Sequence, residues 1–459
     1  MTHSHSNAIL VFIIAISTGA RVCAVSAGKG AEDAGFVCAI SSTSDRSGAP
    51  ALKTADKIPS LTDPDVFHES GVRKVNAGDL EGALADFTTA ITLDPKNIAG
   101  YNNRAHVRVM QRKPDAAIAD YSRAIALKPE DSTAYSGRST AKVMNGDLKG
   151  ALADSDKAVA LAPDDAEIRN ARGGVRYLTG DLKAALADYD RALELDPKLV
   201  GALENRSKAR NLTGDIAGEL ADLDAAISLG STDADIHTNR ASVRLKKGDV
   251  DGALADSSSA IELEPKNPAG HRIRGEAKRA KGDFDGAISD LNRAIELEPK
   301  NASAYFSRGK ARYLTRAFGR AAADFEAAAR ADKTIETSTI LLSSVARTRS
   351  GDNPAEDKKL QAWIDKRGSG KSAGWPSAVG RFLLGKDDEA ALLSGAAAFA
   401  KKKESGQLGQ AWYFAGIRCL ATGDKQGAAE RFRKCADADH NESVVRAFAE
   451  AELKWLGEK

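Results

Sequence analysis

The stretches GDLKAALADYDRALELDP at residues 180–197 and GDFDGAISDLNRAIELEP at 282–299 agree in chemistry at almost every position. Around them an aspartate recurs every 34 residues, at Asp86, Asp120, Asp154, Asp188, Asp222, Asp256, Asp290 and Asp324. An alanine keeps the same interval four residues later, from Ala90 to Ala328. A fixed period of this length marks an array of helix-turn-helix units, each burying its apolar face by stacking on its neighbours. Such an array presents surface and does not enclose a reaction centre, so the pattern points to binding.

The punctuation inside each period predicts how a unit folds. Gly-Asp pairs fall at 78–79, 146–147, 180–181, 214–215, 248–249 and 282–283, and proline at 95, 129, 163, 197, 265 and 299. Glycine suits the left-handed conformation that ends a helix, and the following Asp can cap the next one. Proline then closes the second helix. With that proline as position 32, eight repeats run from residue 64 to residue 335. Position 8 is always small, position 20 is Ala in seven of eight repeats, and position 27 is Ala in all eight. Small residues there let two helices approach closely, with Phe87, Tyr121, Tyr189 and Phe325 filling position 24.

These residues, in the pattern NRG/A … GD … A..D..RAI.L.P, resemble the tetratricopeptide repeat family. The matches include Asn103-Arg104-Ala105, Asn239-Arg240-Ala241 and Ala287 to Asp290 running on to Pro299. The resemblance implies an all-α, right-handed helical solenoid and a scaffold that binds protein or peptide partners. Repeat 5 departs from it with Glu219 at position 20 and Ser231 in place of proline, which predicts looser packing. Repeat 8 departs with Arg316-Ala317 and Lys333.

Lys plus Arg (66) nearly balance Asp plus Glu (64), which argues against a nucleic-acid binder with its basic excess. The basic residues are nevertheless ordered. Position 7 is Arg in seven consecutive repeats, Arg104 to Arg308, and position 11 is Lys or Arg in all eight. Both positions share one helical face. They form either a ladder for an anionic partner or ion pairs with the position-23 aspartates, within a repeat or between repeats. The ion-paired reading is preferred, because the family packs position 7 inside.

Residues 8–16 (AILVFIIAI) form an apolar run too short to span a bilayer. With Val25-Ser26-Ala27 as a cleavage site, residues 1–27 resemble a secretory signal peptide; an uncleaved anchor and a cytoplasmic chain are the alternatives. Cys23 lacks a lipobox before it. Residues 28–63 read as a flexible linker. Beyond 335 a worn ninth helix pair surrounds Gly351-Asp352, and 336–408 is read as a degenerate helical region. A further repeat and a capping helix occupy 409–459, with Trp412, Gly416, Gly423-Asp424, Ala428 and Phe432 at positions 4, 8, 15–16, 20 and 24. The stretch from Trp375-Pro376 through 382–386 to Gly416 resembles bacterial tetratricopeptide lipoproteins of the NlpI type, which are envelope adaptors. That resemblance implies a periplasmic or secreted setting. All four tryptophans lie in this last part; a core role is preferred, with Trp375, placed in a loop, the best candidate for exposure.

The sequence offers no catalytic constellation. Gly368-Ser369-Gly370-Lys371-Ser372 mimics the end of a phosphate loop, but Asp365 stands where its first glycine belongs. The histidines do not cluster at metal spacing, and neither a metal site nor a small-molecule cofactor is expected. Cys419 and Cys435 sit at positions 11 and 27 of one helix pair, roughly 12 Å apart by helical rise, too far for a disulfide. The family resemblance implies a concave binding surface lined by positions 2, 5, 9, 12 and 13 of the first helix. Here that selects His68, Asn102, His106, Asn170, Tyr177, Lys208, Asn211, Arg272, Arg279 and Tyr313, a mixed polar and aromatic set suited to an extended or helical peptide. The family's clamp for C-terminal carboxylates needs Lys at position 5, which no repeat has. The expectation is a non-enzymatic adaptor for proteins or peptides, with a self-associating scaffold as the alternative.

Overall fold

The computed structural model describes residues 63–367, 374–400, 406–438 and 443–458. The leader, the linker up to residue 62 and the phosphate-loop mimic at 368–372 lie outside them. The fold is all-α, a helical solenoid of paired helices. The chain divides into two compact bodies at Val243 and Arg244, within the helix Ala234–Lys246.

The N-terminal body holds α1 (Pro64–Asn76), α2 (Leu80–Leu93), α3 (Ile98–Met110), α4 (Pro114–Leu127), α5 (Ser132–Met144), α6 (Leu148–Leu161), α7 (Ala166–Leu178), α8 (Leu182–Leu195), α9 (Val200–Thr213) and α10 (Ile216–Ser228). It also takes the first part of α11 (Ala234–Lys246). Odd-numbered helices are the first, or A, helix of a repeat and even-numbered ones the second, or B, helix. The turn between them follows from position 15. Gly180 has φ +84°, its N–H donates to Tyr177 O and that of Asp181 to Arg176 O, and the Asp181 carboxylate caps α8 at Ala184. Repeat 2 makes the same turn without glycine, with Arg112 at φ +58°, and Lys113 supplies no side-chain cap to α4.

Close approach of A and B explains the small position 8. A Cβ on Gly71 would lie 2.6 Å from the Phe87 ring, and one on Gly173 would lie 2.5 Å from the Tyr189 ring. Every alanine at positions 20 and 27 is fully buried. Repeat 5 packs its two helices less extensively than the other repeats of the N-terminal body, as its departures predict, and the departures themselves are accommodated locally. Glu219 at position 20 is buried, and Asn211 Nδ2 donates to both its oxygens (2.8 and 2.9 Å), so a satisfied polar contact replaces the alanine. In place of proline, Gly230 at φ +82° ends α10, with Ser231 N–H donating to Ala226 O.

The C-terminal body continues with α12 (Val250–Leu263), α13 (Pro268–Lys281), α14 (Phe284–Leu297), α15 (Ala302–Leu314) and α16 (Phe318–Ala331). Then come α17 (Glu336–Ser350), α18 (Lys358–Arg367), α19 (Gly374–Leu383), α20 (Glu389–Ala400), α21 (Gly406–Ala421), α22 (Lys425–Ala438) and α23 (Val444–Leu456). The stretches expected as a worn ninth pair form α17 and α18, but α17 packs along α16 and scarcely touches α18. The late repeat is α21 and α22, where a Cβ on Gly416 would meet the Phe432 ring at 2.5 Å. Trp375-Pro376 belongs to the first turn of α19, not to a loop. Trp375 is buried and its indole N–H donates to Gln410 (3.0 Å), which corrects its expected exposure. A single apolar core joins α15 to α23 through Tyr313, Phe325, Val345, Trp363, Phe382, Tyr413 and Phe448. Cys419 is partly exposed and Cys435 buried, and no disulfide joins them.

Candidate partner-binding face

The face open to a partner is defined by what the other faces of the A helices already do. Every position-23 aspartate receives a cation from position 11 of its own repeat, from Lys74–Asp86 (2.7 Å) to Arg312–Asp324 (2.8 Å). Position-7 arginines add a two-pronged contact within the repeat, as Arg104 does to Asp120 and Arg172 to Asp188. The same guanidinium reaches back to position 25 of the preceding repeat: Arg138 to Ser122, Arg206 to Asp190 and Arg240 to Asp224. The ladder is therefore structural, joining A to B and repeat to repeat. Positions 5, 9 and 12, spaced four and three residues apart, share the side of the A helix that these pairs leave free.

In the N-terminal body, the position-5 side chains of His68, Asn102 and Asn170 reach across to the next A helix or its N-cap. His68 Nε2 meets Asn103 Nδ2 at 2.8 Å, and Asn205 Nδ2 donates to Asn170 Oδ1 at 2.9 Å. Asn170 is 2% exposed, so it is an inter-repeat fastener and not a surface contact, contrary to the sequence expectation. Asn102 donates to Asp131 (2.9 Å) and stays partly exposed. Burial lowers the pKa of His106 below its ordinary 6.5, which leaves a neutral imidazole at pH 7.

Lys208 binds Glu204 at 2.5 Å. Burial disfavours its charge, but Glu204, Asp235 and Asp233 more than compensate and raise its pKa. Asp233 is pushed up to about 7, by burial first and then by the charges of Glu204 and Asp235. Tyr177 lies near enough for the Lys208 charge to oppose the upward push that burial gives its phenol. Asn211 is committed to Glu219, as described, so its amide serves the A–B contact.

In the C-terminal body, Arg272 Nη1 donates to Glu276 Oε1 (2.9 Å), and Ser307 Oγ donates to the same oxygen (2.9 Å). Arg279 and Lys310 stand beside them, both partly buried. Tyr313 corrects the sequence reading most sharply. It is fully buried, stacked on Phe448 with centroids 3.9 Å apart, and its hydroxyl donates to Glu452 (2.7 Å). Position 12 of repeat 8 faces a returning helix instead of an open groove.

Lys310 and Glu276, both at position 9, and Glu204 at position 5 went unselected in the sequence. Taking every repeat at those positions would have found them. Asp233 lies at position 34 and carries no positional signal. Among the described residues no group of His, Cys, Asp and Glu could hold a metal ion, and no helix is long and apolar enough to cross a membrane.

Residues 69–132, 102–165 and 137–200 match the family described as "Tetratricopeptide repeat", and 275–315 the one described as "TPR repeat". No curated protein matches the chain. Similar solved structures include a tetratricopeptide repeat protein from Parabacteroides merdae, 20% identical, covering 53% of this chain and 97% of that one, with a TM-score of 0.41. PilF of Pseudomonas aeruginosa is 15% identical, with coverage of 46% and 97% and a TM-score of 0.41. A thermophilic protein of Thermus thermophilus is 22% identical, with coverage of 40% and 99% and a TM-score of 0.37. The chain carries tetratricopeptide repeats.

Proposed function

We propose that the chain is a non-catalytic adaptor of a bacterial cell envelope, holding peptide segments or partner proteins on the free face of its A helices. Tetratricopeptide repeats generally mediate protein–protein interaction, and the scaffold is generally non-catalytic. The observation that carries the reading is the division of labour around each A helix. Positions 7 and 11 are consumed by the ion-pair ladder, while positions 5, 9 and 12 present varied polar side chains such as Asn102, His106, Arg272 and Arg279. A uniform frame with a varied face is how one scaffold recognises a particular ligand. The apolar leader and the similarity of the stretch from Trp375 to Gly416 to NlpI-type adaptors support the envelope setting.

The test is cross-linking in whole cells with a C-terminal tag, followed by fractionation and mass spectrometry. A protein recovered with the envelope fraction, and lost from N102A, H106A or R272Q, is the expected result. Recovery of this chain alone would replace the adaptor with a self-associating scaffold, and recovery from the cytoplasm would remove the envelope setting.

A further inference from the structure

On α13 and α15, three cations surround one carboxylate. Arg272 and Ser307 both bond Glu276 Oε1. Among the described residues, Arg279 and Lys310 make no ion pair, and the Arg279 Nε–H is buried without an acceptor. The Lys310 ammonium lies 5.0 Å from the Phe306 ring centroid, an attraction far weaker than a carboxylate would give at such a site. Burial, and then the charges of Arg279 and Arg272, hold Lys310 down to about 8, with Glu276 opposing. Burial likewise lowers Arg279. Elsewhere in the array the ordered cations meet aspartates at 2.6–2.9 Å. Partly buried cations without counter-charge cost free energy in the folded chain, and a ligand that supplies the missing anion recovers it.

We propose that Arg272, Arg279 and Lys310 bind the acidic side chains of a partner peptide laid across α13 and α15, an inference that rests on the adaptor reading. The planar Arg279 fork and the compact Lys310 head suit carboxylates presented one beside the other. The Phe306 ring offers the peptide an apolar contact at the same place. A peptide fits better than a polyanion such as nucleic acid or a lipid surface. The cations are three and local, and the chain as a whole carries a formal charge of only +2, without the broad field a polyanion requires.

The experiment is fluorescence anisotropy of the full chain with a short poly-glutamate peptide blocked at both ends. Binding should weaken about tenfold in R279Q/K310Q. It should strengthen in E276Q, which keeps the bonds to Arg272 and Ser307 while removing the competing charge. Unchanged affinity in R279Q/K310Q, no binding by the full chain, or equal competition by inorganic phosphate or anionic phospholipid vesicles would overturn the proposal. Should R279Q/K310Q fail to fold, E276Q decides alone: without a gain in affinity the site is wrong. A captured partner that R279Q/K310Q still retains removes this site and leaves the adaptor. A chain that binds poly-glutamate through these cations but captures no protein leaves the site and removes the adaptor.

Discussion

Asp188 shows how much one residue holds in this array. Its carboxylate accepts from Arg172 Nε and Nη2 (2.9 and 2.6 Å) and from Arg176 Nη1 (2.9 Å). Asp188→Ala would leave two guanidinium groups with only the half-exposed Asp156 carboxylate, 3.2 and 3.6 Å away, as a shared counter-charge. It should cost about 3 kcal/mol, the lower end for a broken buried pair, because the arginines keep some exposure. Chemical denaturation of the full chain measures it, and an unchanged midpoint would refute the ladder's role. Asp290 extends the argument to pH. Burial works against its charge, but Arg274 and Lys278 outweigh this and hold its pKa below the ordinary 3.8. A carboxylate depressed by folding contributes stability that is complete above its unfolded pKa and is lost as pH falls through the folded value. Melting midpoints should therefore fall below pH 3.8 and fall less steeply in D290N, in which this group no longer titrates. The pairing of position 7 with position 23 was legible because both residue types are periodic. The reach of Arg138 to Ser122 or Arg206 to Asp190 was not, because position 25 changes its chemistry from repeat to repeat.

At the level of the helix pair, the A–B turn is the informative element. Glycine at position 15 and aspartate at position 16 predicted the left-handed turn and cap, and the repeats that carry the pair make it. Repeats 2 and 8 reach the same geometry with Arg112 at φ +58° and Arg316 at φ +63°. An L-residue there costs about 1–2 kcal/mol relative to glycine. Arg112→Gly with Lys113→Asp should thus stabilise the chain by about 1–2 kcal/mol, by relieving the strain and adding a cap to α4. Arg316 differs because its guanidinium lies over the Trp455 ring, 5.1 Å from the centroid. R316G should give a smaller gain, since the cation–π contact is lost with the strain. Thermal melts of R112G alone and R316G in parallel, with the double variant beside them, decide this; equal gains from the two single changes would mean that the Trp455 contact contributes nothing. Repeat 5 marks where positional reading ran out. Glu219 at a position reserved for alanine looked like a packing defect, and only its contact with Asn211, eight residues back, shows the compensation.

Across the C-terminal body, the period explains the repeats and misreads their end. Tyr313 obeys the rule for position 12, and that rule assumes a neighbouring repeat beyond it. Instead α23 returns to α15 over a long stretch of chain, a contact no local pattern announces. Around Glu452, which is fully buried, the return is polar as well as apolar. Its Oε1 accepts from Tyr313 (2.7 Å) and Arg349 Nε (2.7 Å), while Tyr413 donates to the Tyr313 hydroxyl (3.0 Å). Tyr313→Phe keeps the stack on Phe448 and removes only the hydroxyl that links Tyr413 to Glu452. Two buried partners then lose a bond, and the loss should be about 1–3 kcal/mol. Deleting residues 443–459 should do more, uncovering Tyr313 and Phe318 together. If α23 were a passive end cap, Y313F would be nearly neutral, and deletion would lower solubility without moving the midpoint. If it is the keystone of the C-terminal core, both variants lower the midpoint, the deletion by more, and a dye specific for exposed apolar surface binds the deleted chain. Denaturation of the two variants beside the full chain separates these outcomes, and the network around Glu452 predicts the second.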